Sequence, residues 1–347
     1  MIESILIVDD ERSSRELLKK ALGGGLYNIR TATNGEEALI LVAKKTPDLI
    51  LLDIQMPIMN GLEVCKRLKA DPATNNISVL FITASRTTSE DQIGGLNLGA
   101  LDYITKPFDP KVVAARVKNY LMLKQYQNQL EHLVALKTIE LEKTQRHILE
   151  CLAKAGEMRD DDTGSHLKRI TMYVLTLLEY LNWENKTMRE MGSQAASLHD
   201  LGKIGVPDAI LRKPSRLTPE EIKIMQLHTI TGALIIGDHP SDILKMAKKI
   251  ALEHHENWDG TGYPYGLKGN NISFLAAVVH LADVYDALRT ERPYKKAFPH
   301  ERVIEIITIG EGVRTLPGHF HPDVLQGFKE IEGEFAEIAL EYANEVE

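Results

Sequence analysis

What this chain has little of narrows its class before any motif is read. Two cysteines, Cys65 and Cys151, occur in 347 residues. That is too few for a disulfide framework, so a reducing compartment is expected. No apolar run approaches the roughly 18 residues a membrane span needs. The opening MIESILIVDDE also lacks the basic, apolar and small-residue layout of a secretory leader. A cytoplasmic location without a membrane span is the expectation. Positive charge is not in excess either: 41 Lys and Arg face 49 Asp and Glu, a net charge of −8. DNA-binding proteins present a basic surface, so DNA is not expected as a partner. An anionic substrate would need its compensating charge locally, from metals or a few placed Arg and Lys. No internal repeat or low-complexity segment stands out. The 44% hydrophobic and 26% charged fractions are those of an ordinary globular chain, and the length favours two or three domains.

Residues 1–120 alternate β-branched apolar runs with amphipathic segments. Strands are predicted at 4–8, 28–32, 48–53, 79–84 and 102–105, and helices at 12–22, 35–45, 61–69, 89–98 and 109–120. This alternation implies a parallel, doubly wound α/β sheet whose ligands sit at the carboxyl ends of its strands. From about 110 to 160 the pattern is one long helix. Leu123, Tyr126, Leu130 and Leu133 form an apolar seam that then meets Lys137 and Glu140. Such an interrupted heptad suits either a packed connecting helix or a dimerising one. Residues 150–347 read as all helical, with Gly- and Pro-marked loops at 202–207, 213–219, 237–240, 259–271 and 315–322.

Three carboxylates fall at predicted strand ends: Asp9 and Asp10 after the first strand and Asp53 at the third. Thr83 lies at the end of the fourth, and Lys106-Pro107 follows the fifth. Clustered carboxylates need a cation to stay charged, and an all-oxygen set suits a hard ion such as Mg²⁺. A carboxylate beside such an ion, with a lysine and a hydroxyl nearby, can attack phosphorus and form an aspartyl phosphate. Here, over about residues 3–122, the chain resembles the response-regulator receiver family, whose fold is flavodoxin-like. The resemblance implies Asp9, Asp10 and Asp53 for Mg²⁺, Asp53 in LLDIQMPIMNG as the phosphoacceptor, and Thr83, Tyr103 and Lys106 as switch residues. It also implies a cognate histidine kinase as a partner.

The second half spaces His and Asp as D-x3-H at Asp162 and His166, then His199-Asp200 with Lys203 one turn on. His228, His254-His255 and Asp283 follow. Asp162 and His166 at i,i+4 would share one helix face. Imidazole and carboxylate donors without thiolate suit Fe, Mn, Zn or related ions, and there are more donors than one ion needs. Adjacent ions about 3.5–4 Å apart can activate water and clamp both oxygens of an in-line displacement at phosphorus. Over about residues 148–335 the chain resembles the HD-GYP subgroup of HD-domain phosphohydrolases, through HDLGKIGVPD, LEHHENWDGTGYP and LADVYDALRTERPYKKA.

That resemblance implies metal ligands Asp162, His166, His199, Asp200, His228, His254, His255 and Asp283, with the two adjacent histidines reaching opposite sides of the cluster. Asp200 and Lys203 would be catalytic, Lys203 donating to the scissile phosphate or protonating the leaving oxygen. Gly262, Tyr263 and Pro264 would lie beside the substrate, with Arg292 and Lys295 on its phosphates. Asp162 stands where the family often has glutamate, so two transition metals (Fe or Mn, with Ni or Zn as alternatives) are expected rather than three. The expected organisation is multidomain: a receiver at 1–122, a helical linker and candidate coiled coil at 123–149, and an all-α HD-type domain at 150–347. The implied activity is hydrolysis of cyclic di-GMP to pGpG or GMP, controlled at Asp53. Homodimerisation through the linker and docking of other signalling proteins are further expectations. The rival readings are a phosphodiesterase for another cyclic dinucleotide, and a cyclic di-GMP sensor without turnover.

Overall fold

The computed structural model describes residues 2–23, 25–84, 99–157, 165–291, 296–312 and 315–342. Five parallel strands, β1 (Ser4–Val8), β2 (Asn28–Ala32), β3 (Leu49–Asp53), β4 (Ser78–Ala84) and β5 (Asp102–Lys106), form one sheet in the order β2-β1-β3-β4-β5. The order reverses beside β1, which opens a crevice at the carboxyl ends of β1 and β3. The strands read as continuous apolar runs because both faces are covered. Ile5, Ile7, Leu49, Leu51, Leu80 and Ile82 enter one core, while Leu6, Val8, Ile50, Leu52, Val79 and Phe81 enter the other. Side chains of period two on a doubly covered sheet leave no polar face.

Helices Arg12–Ala21, Gly35–Lys44 and Gly61–Ala70 occur where the pattern predicts them. Two start on asparagine caps: Asn34 Oδ1 accepts from Glu37 N and Asn60 Oδ1 from Glu63 N, each at 2.9 Å. Such caps satisfy one of the helix's orphan donors. The helix expected at 89–98 lies outside the described residues.

The predicted helix at 109–120 does not stop there. It is the start of a single 48-residue helix, Pro110–Glu157. Val113, Val117 and Leu121 pack into the sheet's core, and Leu149 and Ala153 belong to the helical core that follows. Between them Leu123, Tyr126, Leu130 and Leu133 are 64%, 60%, 61% and 52% exposed, so the seam read from the sequence is open surface. Contacts divide the chain into two units, Met1–Thr138 and Ile139–Glu347.

In the second unit, helices Ser165–Tyr180, Lys186–Ala196, Asp242–Glu253 and Phe274–Arg289 surround a core of Tyr173, Leu177, Ile250, Val278, Leu281 and Tyr285. The helix His228–Ile236 packs on the short 3₁₀ turn Leu201–Gly205. Phe328 and Phe335 from the C-terminal helices, with Phe320 just before them, close the core, and the Phe335 ring stacks on Tyr173 at 4.6 Å. No described helix is long and apolar enough to cross a membrane.

Candidate active site and phosphoryl acceptor

In the first unit, Asp9 directly follows β1, Asp53 ends β3 and Lys106 ends β5. The topology brings them together: Lys106 Nζ lies 2.8 Å from Asp9 Oδ2 and 2.6 Å from Asp53 Oδ2. Carboxylate oxygens of Asp9, Asp10 and Asp53 fall within 4.8 Å of one another. Asp9 and Asp53 are buried, and Asp10 is exposed. Ser14 Oγ donates to Asp9 Oδ2 at 2.5 Å and the Gln55 amide to Asp53 Oδ1 at 3.2 Å. Burial pushes the Asp53 carboxyl above its ordinary pKa even though Lys106 opposes it. A carboxylate in that state is short of positive charge, which a divalent cation would supply. Thr83 and Tyr103 stand on the neighbouring strands β4 and β5.

In the second unit, the candidate ligands sit at helix ends and on one helix interior. His166 is the second residue of Ser165–Tyr180, and His199-Asp200 closely follows Lys186–Ala196. His228 opens His228–Ile236, His254-His255 follows Asp242–Glu253, and Asp283 lies within Phe274–Arg289. Their donor atoms form two groups, each within 4.8 Å: Asp200, His228, His254 and His255 in one, His166, His199 and Asp283 in the other. Asp200 joins them. Its Oδ1 is 3.3 Å from His228 Nε2 and 3.7 Å from His254 Nε2, while its Oδ2 is 3.3 Å from His199 Nε2. Lys203 Nζ also meets Oδ2, at 2.8 Å. Burial works against ionising Asp200, but Lys203 and His199 hold its carboxyl well below the usual range.

Ring orientation is set from behind. His199 Nδ1 faces Ala196 O at 2.9 Å, His228 Nδ1 faces Met225 O at 2.7 Å, and His254 Nδ1 faces Ile250 O at 3.0 Å. Carbonyls only accept, so each ring carries its proton on Nδ1 and turns the Nε2 lone pair inward. His228 Nε2 and His254 Nε2 then confront each other at 3.4 Å. Two lone pairs at that distance need a cation between or beside them. His199 Nε2 and Asp200 Oδ1 are likewise buried without a hydrogen-bond partner among the described residues. Burial keeps His228 down at about 4 and His255 well below its ordinary value, so both imidazoles are neutral at neutral pH. The residues present fit divalent transition ions bound by nitrogen and oxygen.

Two further residues hold His166. Asp286 Oδ2 lies 2.7 Å from His166 Nδ1, and Arg169 clamps Asp286 with Nε at 2.6 Å and Nη2 at 2.8 Å. Burial opposes a charged His166, but Asp286 lifts it to about 9. Asp286 is one turn from Asp283 in the sequence, yet nothing local shows that it reaches back 120 residues to His166. Arg169, three residues after His166 on one helix face, goes unnoticed in the sequence, where Asp286 stands out only as one turn from Asp283.

The loop after His255 closes over it. The Tyr263 ring stacks on His255 at 4.7 Å, and the Tyr263 amide donates to His255 O at 3.1 Å. A Cβ on Gly262 would fall 2.2 Å from Asn257 N and 2.4 Å from His255 O, so only glycine fits. The buried Glu256 carboxylate accepts from Tyr265 N at 2.8 Å and Leu267 N at 2.9 Å, holding the loop in place. Gly262, Tyr263 and Pro264 therefore lie beside the donor cluster.

One expectation changes. His254 and His255 do not serve opposite sides: both belong to the Asp200 group, because they leave the helix Asp242–Glu253 in one continuous turn. His166 lies in the first described turn of the helix Ser165–Tyr180. Asp162, Arg292 and Lys295 all lie outside the described residues.

Residues 128–314 match the HD domain family and residues 5–118 the response regulator receiver domain. A probable cyclic di-GMP phosphodiesterase of Vibrio cholerae is 38% identical over 99% of this chain and 80% of its own length. The cyclic di-GMP phosphodiesterase response regulator RpfG of Xanthomonas campestris is 34% identical over 89% of this chain and 84% of its own. The chain belongs to the family of HD-domain response regulators. The likeness extends to other substrates: a 3'3'-cGAMP-specific phosphodiesterase of Vibrio cholerae is 35% identical over 58% of this HD-domain response regulator and 37% of its own length.

Proposed function

We propose that this HD-domain response regulator hydrolyses cyclic di-GMP to pGpG or GMP at a two-ion centre, under the control of phosphorylation at Asp53. The observation that carries the reading is the pair of donor groups joined through the two oxygens of Asp200. Divalent ions held there would supply an activated water and charge neutralisation at phosphorus. Asp200 would span the two ions, and His166, His199, Asp283, His228, His254 and His255 would fix them, with Asp162 as a further candidate ligand. Lys203, paired with Asp200, would hold its ammonium ready for a phosphoryl oxygen or the departing 3′ oxygen. Gly262, Tyr263 and Pro264 would form one wall for the dinucleotide, and Arg292 and Lys295 would hold its phosphates, since an arginine fork suits them. Iron or manganese would fill the centre, with nickel or zinc as substitutes.

The receiver site would take Mg²⁺ at Asp9, Asp10 and Asp53 and accept a phosphoryl group from a histidine kinase, with Thr83, Tyr103 and Lys106 reading its arrival. We place the receiver at 1–122, the linker at 123–149 and the HD-type domain at 150–347. The exposed seam of Leu123, Tyr126, Leu130 and Leu133 supports pairing with a second copy.

The test is anaerobic turnover of cyclic di-GMP by protein reloaded with Fe²⁺ or Mn²⁺, with product analysis and a His199→Ala/Asp200→Ala control. Conversion that vanishes in the control is expected. Tight binding without conversion under either metal would instead mark a sensor. The relative specific for 3'3'-cGAMP favours one alternative substrate, so the assay includes that dinucleotide. Beryllofluoride at Asp53 is expected to change activity or oligomeric state, and no change in either would refute the control.

A further inference from the structure

Glu157 is the last residue of the helix Pro110–Glu157 and is 4% exposed. Neither of its carboxylate oxygens has a hydrogen-bond partner among the described residues. An ionised carboxylate buried without a partner costs several kcal/mol, so a positive group belongs beside it. Its surroundings indicate where. Oε1 lies 3.7 Å from His166 Nε2, and the other charges that act on it are those of His199, Asp200 and Lys203. Glu157 therefore faces the donor groups and not the surrounding core.

His166 has committed its Nδ1 to Asp286, which leaves Nε2 as the nitrogen available to an ion, and Nε2 is the atom Glu157 approaches. Two donors of one ion each stand about 2.1 Å from it, so they are separated by at most about 4.2 Å. The 3.7 Å spacing falls inside that limit. A carboxylate waiting only for a structural partner would be expected to find a backbone amide or an arginine, as Glu256 and Asp286 do.

We propose that Glu157 supplies an oxygen donor to the ion bound at His166 Nε2, a ligand additional to the D-x3-H, HD and HH motifs. The inference rests on the two-ion reading above and adds one residue to it. It brings the carboxylates on the His166 side to two, Asp283 and Glu157, beside the shared Asp200.

The experiment compares full-length wild type, Glu157→Gln and Glu157→Asp, loaded anaerobically with Co²⁺ as a spectroscopic probe. Metal content, affinity against a chelator and the visible cobalt bands are measured, with thermal melts as the control for folding. The Gln variant is expected to bind one of its two ions about tenfold or more weakly and to show altered cobalt bands. The Asp variant should recover part of both. Unchanged affinity and bands in the Gln variant would overturn the proposal. If that variant does not fold, an Asp variant identical to wild type in bands and affinity would overturn it equally. A wild type that binds two ions but hydrolyses no cyclic dinucleotide would refute the functional reading alone, and the Glu157 comparison would still decide the ligand. A wild type that binds no ion would overturn both.

Discussion

The closest backbone approach at the site gives the sharpest test. Gly202 lies in the turn that carries Asp200 and Lys203, and it faces the first turn of the helix headed by His228. A Cβ at position 202 would stand 1.8 Å from His228 O and 2.4 Å from Gly232 N. Both are backbone atoms, so no side-chain rotation relieves the clash. In Gly202→Ala the turn and the helix must part by roughly 1.5 Å to restore ordinary contact, at the 1–3 kcal/mol or more typical of overpacking. For a unit of this size each kcal/mol lowers Tm by about 2–4 °C. The elements that part carry Asp200 Oδ1 and His228 Nε2, now 3.3 Å apart, and a misplacement of about 1 Å at a site can cost 10²-fold in rate. Calorimetry, metal content and turnover are the assays. We expect a lower Tm, weaker metal retention and a large loss of turnover in a protein that still folds. An alanine variant with wild-type Tm and metal affinity would refute the packing on which the two donor groups depend.

Three other outcomes follow from the same geometry. Asp286→Asn removes the charge that orients His166 and leaves Arg169 buried without its partner; about 3–5 kcal/mol of stability and 10–100-fold of metal affinity should be lost, read by melting and chelator competition. Leu130→Lys with Leu133→Lys alters only exposed positions, so it should leave Tm within about 1–2 °C while shifting a dimer to monomer in analytical ultracentrifugation. The His321 ring packs against Trp258 at 4.3 Å and Phe274 at 5.3 Å, and burial lowers its pKa although Asp323 opposes the shift. Its contribution is therefore complete above the unfolded value near 6.5 and is lost as pH falls through the lower folded value. His321→Gln should flatten the acid side of the stability profile, and an unchanged slope in melts between about pH 4 and 7 would contradict that burial.

Much of this protein was determined by sequence alone because the signals are local. Period-two apolar runs specify β1 to β5, and asparagine caps mark where helices begin. Asp9, Asp53 and Lys106 could be placed together because a parallel sheet puts all strand ends on one edge. The histidines and aspartates of the second unit announced a metal centre by residue type and order. What the order could not say was how they divide. Adjacent His254 and His255 serve the same group because of how the chain leaves one helix, and Asp200 joins two groups because each of its oxygens meets a different helix end. The support behind the donors was also invisible in one dimension. Asp286 reaches His166 across 120 residues, and Glu157 approaches His166 from the end of the long helix. The backbone carbonyls that fix each imidazole exist as acceptors only once the helices have formed. Spacing along a chain encodes which groups share a strand or a helix face. Which lone pairs end up pointed at one another depends on packing between elements, and that is decided in the tertiary structure.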